Sequence, residues 1–168
     1  MTLNLVKTRA LCGIAALGIS TAAFAIGNHA GGHGGSAPHG TEETAIGQPG
    51  QPASVRRTIA VEMHDSMRFT PEAIAVGQGE TVRFVVRNTG QLTHEFSLGT
   101  QQELMAHDAL MKRFPGMAHD EPGKVSVAPG QQGELIWQFT RAGAVDFACL
   151  YPGHYDAGMK GQVQVGKN

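Results

Sequence analysis

The stretch Val145-Asp-Phe-Ala-Cys149-Leu-Tyr-Pro-Gly-His154-Tyr-Asp-Ala-Gly-Met159-Lys-Gly161 decides how this chain is read. A thiol, an imidazole and a thioether stand on one short loop, with four residues between each successive pair. Val145, Phe147 and Cys149 alternate with other residues, so on a strand they share one side, and the cysteine leaves that strand pointing away from water. Pro152-Gly153 is turn chemistry that brings His154 back toward the same point. Gly158 and Gly161 let the chain continue past Met159 into a final strand. Sulfur and imidazole together form a donor set for copper in both oxidation states. Two His and one Cys in a plane, with a weak axial Met, describe a mononuclear electron-transfer copper centre.

That arrangement needs a second imidazole. His94, in Leu92-Thr93-His94-Glu95-Phe96, enters a strand just after the turn Asn88-Thr89-Gly90 and is the natural candidate. Other chemistries compete for the same residues. A Cys–His nucleophile pair lacks an orienting third group and a helix N-terminus to lower the thiol pKa. Structural zinc takes more Cys or His in paired spacing. A binuclear copper site needs a second Cys, and multicopper oxidases need His-x-His pairs.

Working outward, residues 55–168 read as one all-β domain. Val82, Phe84 and Val86 share one face of a strand, and Leu135, Trp137 and Phe139 share one face of another, each by a period of two. Gly77-Gln78-Gly79 and Pro129-Gly130-Gln131-Gln132-Gly133 are turns between strands. Strands are expected near 56–63, 73–76, 81–87, 93–98, 123–127, 133–140, 144–149 and 161–165, antiparallel and arranged as a Greek-key sandwich or barrel. Residues 101–114 contain no Gly or Pro, and Leu104, His107, Met111 and Phe114 recur at helical spacing, which predicts a short helical or loop insert.

The motifs Gly-x-Thr-Val-x-Phe at 79–84, Asn88 to Phe96, and Phe147-Ala-Cys-x4-His-x4-Met-x-Gly161 resemble those of the cupredoxins, the family of plastocyanin, azurin and rusticyanin. The likeness runs from about Val55 to Val165. It implies a Greek-key β-sandwich with His94, Cys149, His154 and Met159 as ligands of one type 1 copper, blue or green, cycling between Cu(I) and Cu(II). The Cys-to-His-to-Met spacing is similar to that of rusticyanin, and an exported, Met- and His-rich chain of this type is similar to the periplasmic copper-tolerance cupredoxins. Glu95 departs from the pattern, because many cupredoxins place Asn or Ser directly after the first His to brace the ligand loops.

The rest of the 168 residues sets the context. Lys7 and Arg9, the apolar run 11–23 and Ala23-Phe24-Ala25 form an export signal over residues 1–25, too short to serve as a comfortable bilayer span. Its removal takes Cys12 away and leaves Cys149 alone, so no disulfide can form within the mature chain. A periplasmic location and no membrane anchor after cleavage are expected. Residues 26–54, rich in Gly, Ala, Ser, Pro and Gln, read as a flexible segment carrying His29, His33 and His39. The formal charge of -1 and the absence of a basic stripe argue against nucleic acid as a partner.

Eight His and seven Met against two Cys point to further soft donors. Met63, His64 and Met67 form one cluster. Met105 with His107, and Met117 with His119, repeat a Met-x-His unit, with Met111 between them. With the three leader histidines these are candidate auxiliary copper donors, although methionine also fills core gaps. No further acid–base constellation appears, so catalysis on an organic substrate is not expected. Two roles remain: copper tolerance by binding, redox-cycling and passing on copper, and electron carriage between periplasmic redox proteins.

Overall fold

The computed structural model describes residues 43–115 and 121–167. Among these residues ten strands build two five-stranded sheets. One has the order β1 (Gln48–Pro49), β8 (Gln132–Gln138), β5 (Thr81–Asn88), β2 (Arg57–His64), β3 (Arg68–Thr70). The other has the order β4 (Ala73–Gly77), β10 (Lys160–Gly166), β9 (Gly143–Ala148), β6 (His94–Gly99), β7 (Lys124–Val127). The chain is a two-sheet β-sandwich, and every strand expected from alternation is present.

The period of two determines what fills the space between the sheets. Val82, Phe84 and Val86 of β5, with Trp137 and Phe139 at the end of β8, are buried there, and Leu135 packs against them. Phe96 and Phe147 enter from the opposite sheet, with ring centroids 5.0 Å apart, and Phe69 meets both edge-on. Such aromatic contacts add to the burial of a large apolar area.

Three features differ from the sequence expectation. The sheets are mixed, because β2 runs parallel to β5 and β4 parallel to β10. The three-residue β3 is too short to show alternation. The flexible segment expected over residues 26–54 does not extend through residues 43–54. There Ile46 is buried in the core, Gln48 and Pro49 pair with β8, and the Trp137 indole N–H donates to the Ile46 carbonyl at 3.1 Å. A large aromatic ring at a sheet edge needs both a cover and an acceptor for its N–H, and this segment supplies both. The folded domain therefore begins before residue 55. Residues 1–42, with the export signal and His29, His33 and His39, lie outside the described residues.

The insert is a helix, α1 (Gln101–Arg113). Thr100 and Glu103 form a reciprocal capping box at its start, and Lys112 and Arg113 sit in its last turn, where cations suit the dipole. Leu104 packs on Ala148 and Leu150, so the helix covers the outer face of the second sheet. This explains why all six residues of β6 are buried: His94, Phe96 and Leu98 face the sandwich interior, while Glu95 and Ser97 on the alternate face are also out of water. Among the described residues no helix is long and apolar enough to cross a membrane.

Candidate metal centre

Strand register brings the site together. β6 and β9 are antiparallel with Ser97 opposite Ala148, so His94 begins β6 at the end where Cys149 leaves β9. β10 pairs with β9 with Lys160 opposite Ala148, and the Cys149 N–H donates to the Met159 carbonyl at 3.1 Å. Between them the loop folds on itself: His154 N–H donates to the Tyr151 carbonyl at 2.9 Å, and Met159 N–H to the His154 carbonyl at 3.0 Å. Gly153 and Gly158 sit at φ 88° and 96°, the left-handed region that glycine enters without steric cost.

One potential ligand atom from each of His94, Cys149 and His154 lies within 4.8 Å of the other two. His154 Nδ1 is 3.2 Å from Cys149 Sγ, and the two imidazole centroids are 5.1 Å apart. His94, Cys149 and Met159 have no solvent exposure, whereas His154 is half-buried. Met159 is fully buried in the core cluster that includes Cys149, and its backbone is hydrogen-bonded to Cys149 and His154.

The residues fit a copper ion. His94 Nε2 lies 3.0 Å from Asp65 Oδ1, and an ionised carboxylate only accepts, so Nε2 carries the proton. Nδ1 then offers its lone pair, yet it is buried with no hydrogen-bond partner. A buried acceptor without a donor is costly in a folded protein unless something else satisfies it, and a cation bound here would do so. The soft thiol and two imidazoles are the donor types that copper takes.

The electrostatics agree with that chemistry. Burial pushes the Cys149 thiol up to about 12, against weaker opposing amide hydrogen bonds from Tyr151 and Glu95, so without metal it stays protonated at neutral pH. Burial, followed by the neighbouring His94, lowers the pKa of His154, with Asp65 opposing weakly. The Asp65 carboxyl is lowered chiefly by the amide of Gln91, with His94 and Leu92 adding to this against partial desolvation.

Glu95 does not brace through its side chain. Its backbone N–H donates to Cys149 Sγ at 3.3 Å, while its carboxylate turns to the other face of β6, accepting from Ser97 Oγ at 2.6 Å and facing Lys124 Nζ at 4.0 Å. Bracing comes instead from Asn88, whose Nδ2 donates to the carbonyls of Leu92 and Val127 at 2.7 and 2.9 Å. Asp65 was not among the candidates drawn from the sequence. An Asp-Ser pair between two strands reads only as a turn, and nothing local signals a contact 29 residues away.

Among the described residues the auxiliary donors sit in different surroundings. Met63 is fully buried in the sandwich core, where its thioether packs and is not open to solvent copper. His64 has Thr89 Oγ1 2.9 Å from Nδ1 and Thr70 Oγ1 3.3 Å from Nε2. Met67 packs partly buried against the core. On α1, Met105 is exposed, Met111 is half-buried, and His107 Nδ1 lies 3.3 Å from Glu121 Oε2. Met117 and His119 lie outside the described residues.

Comparison with known proteins agrees with this geometry. The family of copper binding proteins of the plastocyanin/azurin type matches residues 55–166. The copper-resistant cuproprotein CopI of Rubrivivax gelatinosus is 48% identical over 163 residues, covering 96% of this chain and 98% of that protein. The protein of the same name from Pseudomonas aeruginosa is 41% identical over 150 residues, covering 72% of this chain and 82% of that one. Among solved structures, a dithionite-reduced auracyanin from Roseiflexus castenholzii superposes with a TM-score of 0.58 at 21% identity, over 67% of this chain and 98% of that one. Auracyanin B superposes with a TM-score of 0.56 at 20% identity, over 67% and 90%. At those identities the structural likeness bears on the fold alone.

Proposed function

From the premise that the chain belongs to the plastocyanin/azurin family of copper-binding proteins, we propose that it is a periplasmic cupredoxin of copper tolerance, with one type 1 copper held by His94, Cys149, His154 and Met159. The observation that carries the site is the convergence of Cys149 Sγ with imidazole nitrogens of His94 and His154 at the end of the sandwich where Met159 enters β10. Copper bound there would supply one-electron exchange between Cu(I) and Cu(II).

The residues do the rest. Cys149, anchored at the end of β9, provides a thiolate out of water. His94 is held from its far nitrogen, so its ligand nitrogen is aimed before the ion arrives. His154, the half-buried imidazole, would be the edge through which an electron enters or leaves bound copper. Because strands and backbone hydrogen bonds fix these groups, little rearrangement would accompany a change of oxidation state of bound copper. The tolerance role is supported by a relative named copper-resistant that matches 96% of this chain, by a second of that name that matches 72%, by the export signal expected over residues 1–25, and by soft donors such as exposed Met105. The protein is then a copper handler and not an enzyme acting on an organic substrate.

Electron carriage between redox proteins is the second reading. It is favoured by exposed apolar side chains close in sequence to two of the ligands, Pro152 two residues before the half-buried His154 and Leu92 two residues before the buried His94. Titration of the purified exported protein with Cu(II), following visible absorption and total bound copper together, separates the two. Colour saturating at one equivalent while binding continues supports tolerance. Both stopping at one equivalent favours the carrier. No strong colour overturns the type 1 site.

A further inference from the structure

The turn between β2 and β3 is built with unusual care for a surface hairpin. Met67 takes the left-handed conformation at φ 60°, and its N–H donates to the His64 carbonyl at 2.9 Å. Next to it, Arg68 Nη1 donates to the Ala157 carbonyl at 3.0 Å and so ties the turn to the ligand loop. Asp65, at the head of the turn, faces the other way. Its Oδ2 accepts from the Gln91 amide at 2.7 Å, and its Oδ1 accepts from the Leu92 amide at 3.2 Å and from His94 Nε2 at 3.0 Å. Three donors converge on one carboxylate, two of them backbone groups that cannot turn away. Gly90 completes the cradle: a Cβ there would overlap Asp65 Oδ1, so a side chain at position 90 would push the carboxylate off its partners.

We propose that Asp65 is a positioning residue of the copper centre, which fixes the tautomer and aim of His94 and, through the imidazole, favours Cu(II) over Cu(I). This rests on the reading of His94 as a ligand. A carboxylate on the distal nitrogen of a metal-bound imidazole sets ring orientation and raises ligand basicity, and loss of such a partner typically costs about 10–100-fold in metal affinity. A more basic, more negative donor stabilises the ion of higher charge. Neutralising the carboxylate weakens Cu(II) binding more than Cu(I) binding.

The test uses Asp65→Asn and Gly90→Ala, with Glu134→Gln, an exposed carboxylate paired with Arg83 on the surface, as a charge control. In the metal-free protein, nitrogen NMR of the imidazoles reads the tautomer directly. The wild type shows His94 protonated at Nε2 with a downfield, slowly exchanging proton. Gly90→Ala loses that protection, Asp65→Asn weakens it because the amide nitrogen meets the Gln91 N–H donor while its oxygen can still accept from Nε2, and Glu134→Gln keeps it. A wild-type His94 protonated at Nδ1 overturns the proposal without any reference to copper. In the copper-loaded protein, Asp65→Asn raises the ratio of Cu(I) to Cu(II) affinity about tenfold, equivalent to a potential about 59 mV higher for a one-electron couple. Gly90→Ala moves it in the same direction with the charge retained, and Glu134→Gln leaves it in place. An unchanged potential in a coloured Asp65→Asn protein overturns the proposal while leaving the ligand set standing. Should His94→Ala retain the wild-type colour, the ligand reading itself fails, and the proposed control of potential falls with it.

Discussion

The backbone N–H of Glu95 donates to Cys149 Sγ at 3.3 Å, while the Glu95 side chain lies on the opposite face of β6. The residue after the first histidine therefore reaches the sulfur whatever its side chain is, because alternation along the strand sends the carboxylate to the outer face of the sheet. There Ser97, Ser126 and Lys124 receive it.

Glu95→Gln is accordingly expected to leave the visible copper bands in place. Its cost falls on stability. The amide can replace one hydrogen bond but not the charge facing Lys124, which is itself mostly buried, so a loss of about 1–3 kcal/mol is expected. Thermal unfolding of the metal-free variant, beside the absorption spectrum of the loaded one, checks both. Bleaching of the site would mean that the carboxylate, not the amide, supports the sulfur.

Copper uptake should release a proton. With its pKa pushed up to about 12 by burial, Cys149 is a thiol at pH 7.5 and must ionise to bind. His154, held below its ordinary value by burial and by His94, is already neutral there and adds little. About one proton per copper is expected, with apparent affinity rising roughly tenfold per pH unit across the neutral range. Calorimetry in buffers of different ionisation enthalpy measures the proton count. No release would place the thiolate in the metal-free protein and contradict the effect of burial.

Legibility in the sequence followed locality. Cys149, His154 and Met159 stand on one loop, so their spacing alone suggests a donor set, and a strand entry after an Asn-Thr-Gly turn is the local sign of His94, which the fold brings to Cys149 and His154. Alternation located the strands for the same reason. Met63 had such a sign too: it continues the period of Val61 on β2 into the core, a packing position that its proximity to His64 disguised as a donor. Asp65 and Ile46 act through partners far along the chain. A single apolar residue among Gly, Gln and Pro carries no period, and only the fold reveals that it covers Trp137.

That cover makes a prediction about the start of the domain. Ile46→Ala is expected to cost about 2–3 kcal/mol, the lower part of the range for emptying a buried aliphatic site, because the position lies at a sheet edge and can partly collapse. Removing the chain through residue 54 costs more, since it also strips β1 from β8 and leaves the Trp137 N–H without its acceptor. Neither change touches the ligand end of β6 or β9, so both proteins keep their colour at room temperature. Tryptophan fluorescence through the unfolding transition reports the loss directly. An unaltered midpoint in the truncated protein would return residues 43–54 to the status of a tether.

The last prediction concerns Met159. Its backbone is bound to both neighbours in the site, accepting from Cys149 and donating to His154, so its position does not depend on its sulfur. The side chain is fully buried beside aromatic residues of the core, and Met→Leu conserves volume well enough to cost less than about 1.5 kcal/mol. Met159→Leu should therefore fold and bind copper through the remaining three residues, keeping a strongly coloured Cu(II) form because the Cys149 thiolate is retained. What changes is the potential. The axial donor is one of the levers that tune such a centre, and exchanging a thioether for a methyl group withdraws electron density that Cu(II) needs more than Cu(I) does. The potential rises, opposite to the effect of a donor that favours the oxidised ion. Voltammetry of the variant and wild type at one pH decides it, and an equal potential in the two would remove Met159 from the ligand set.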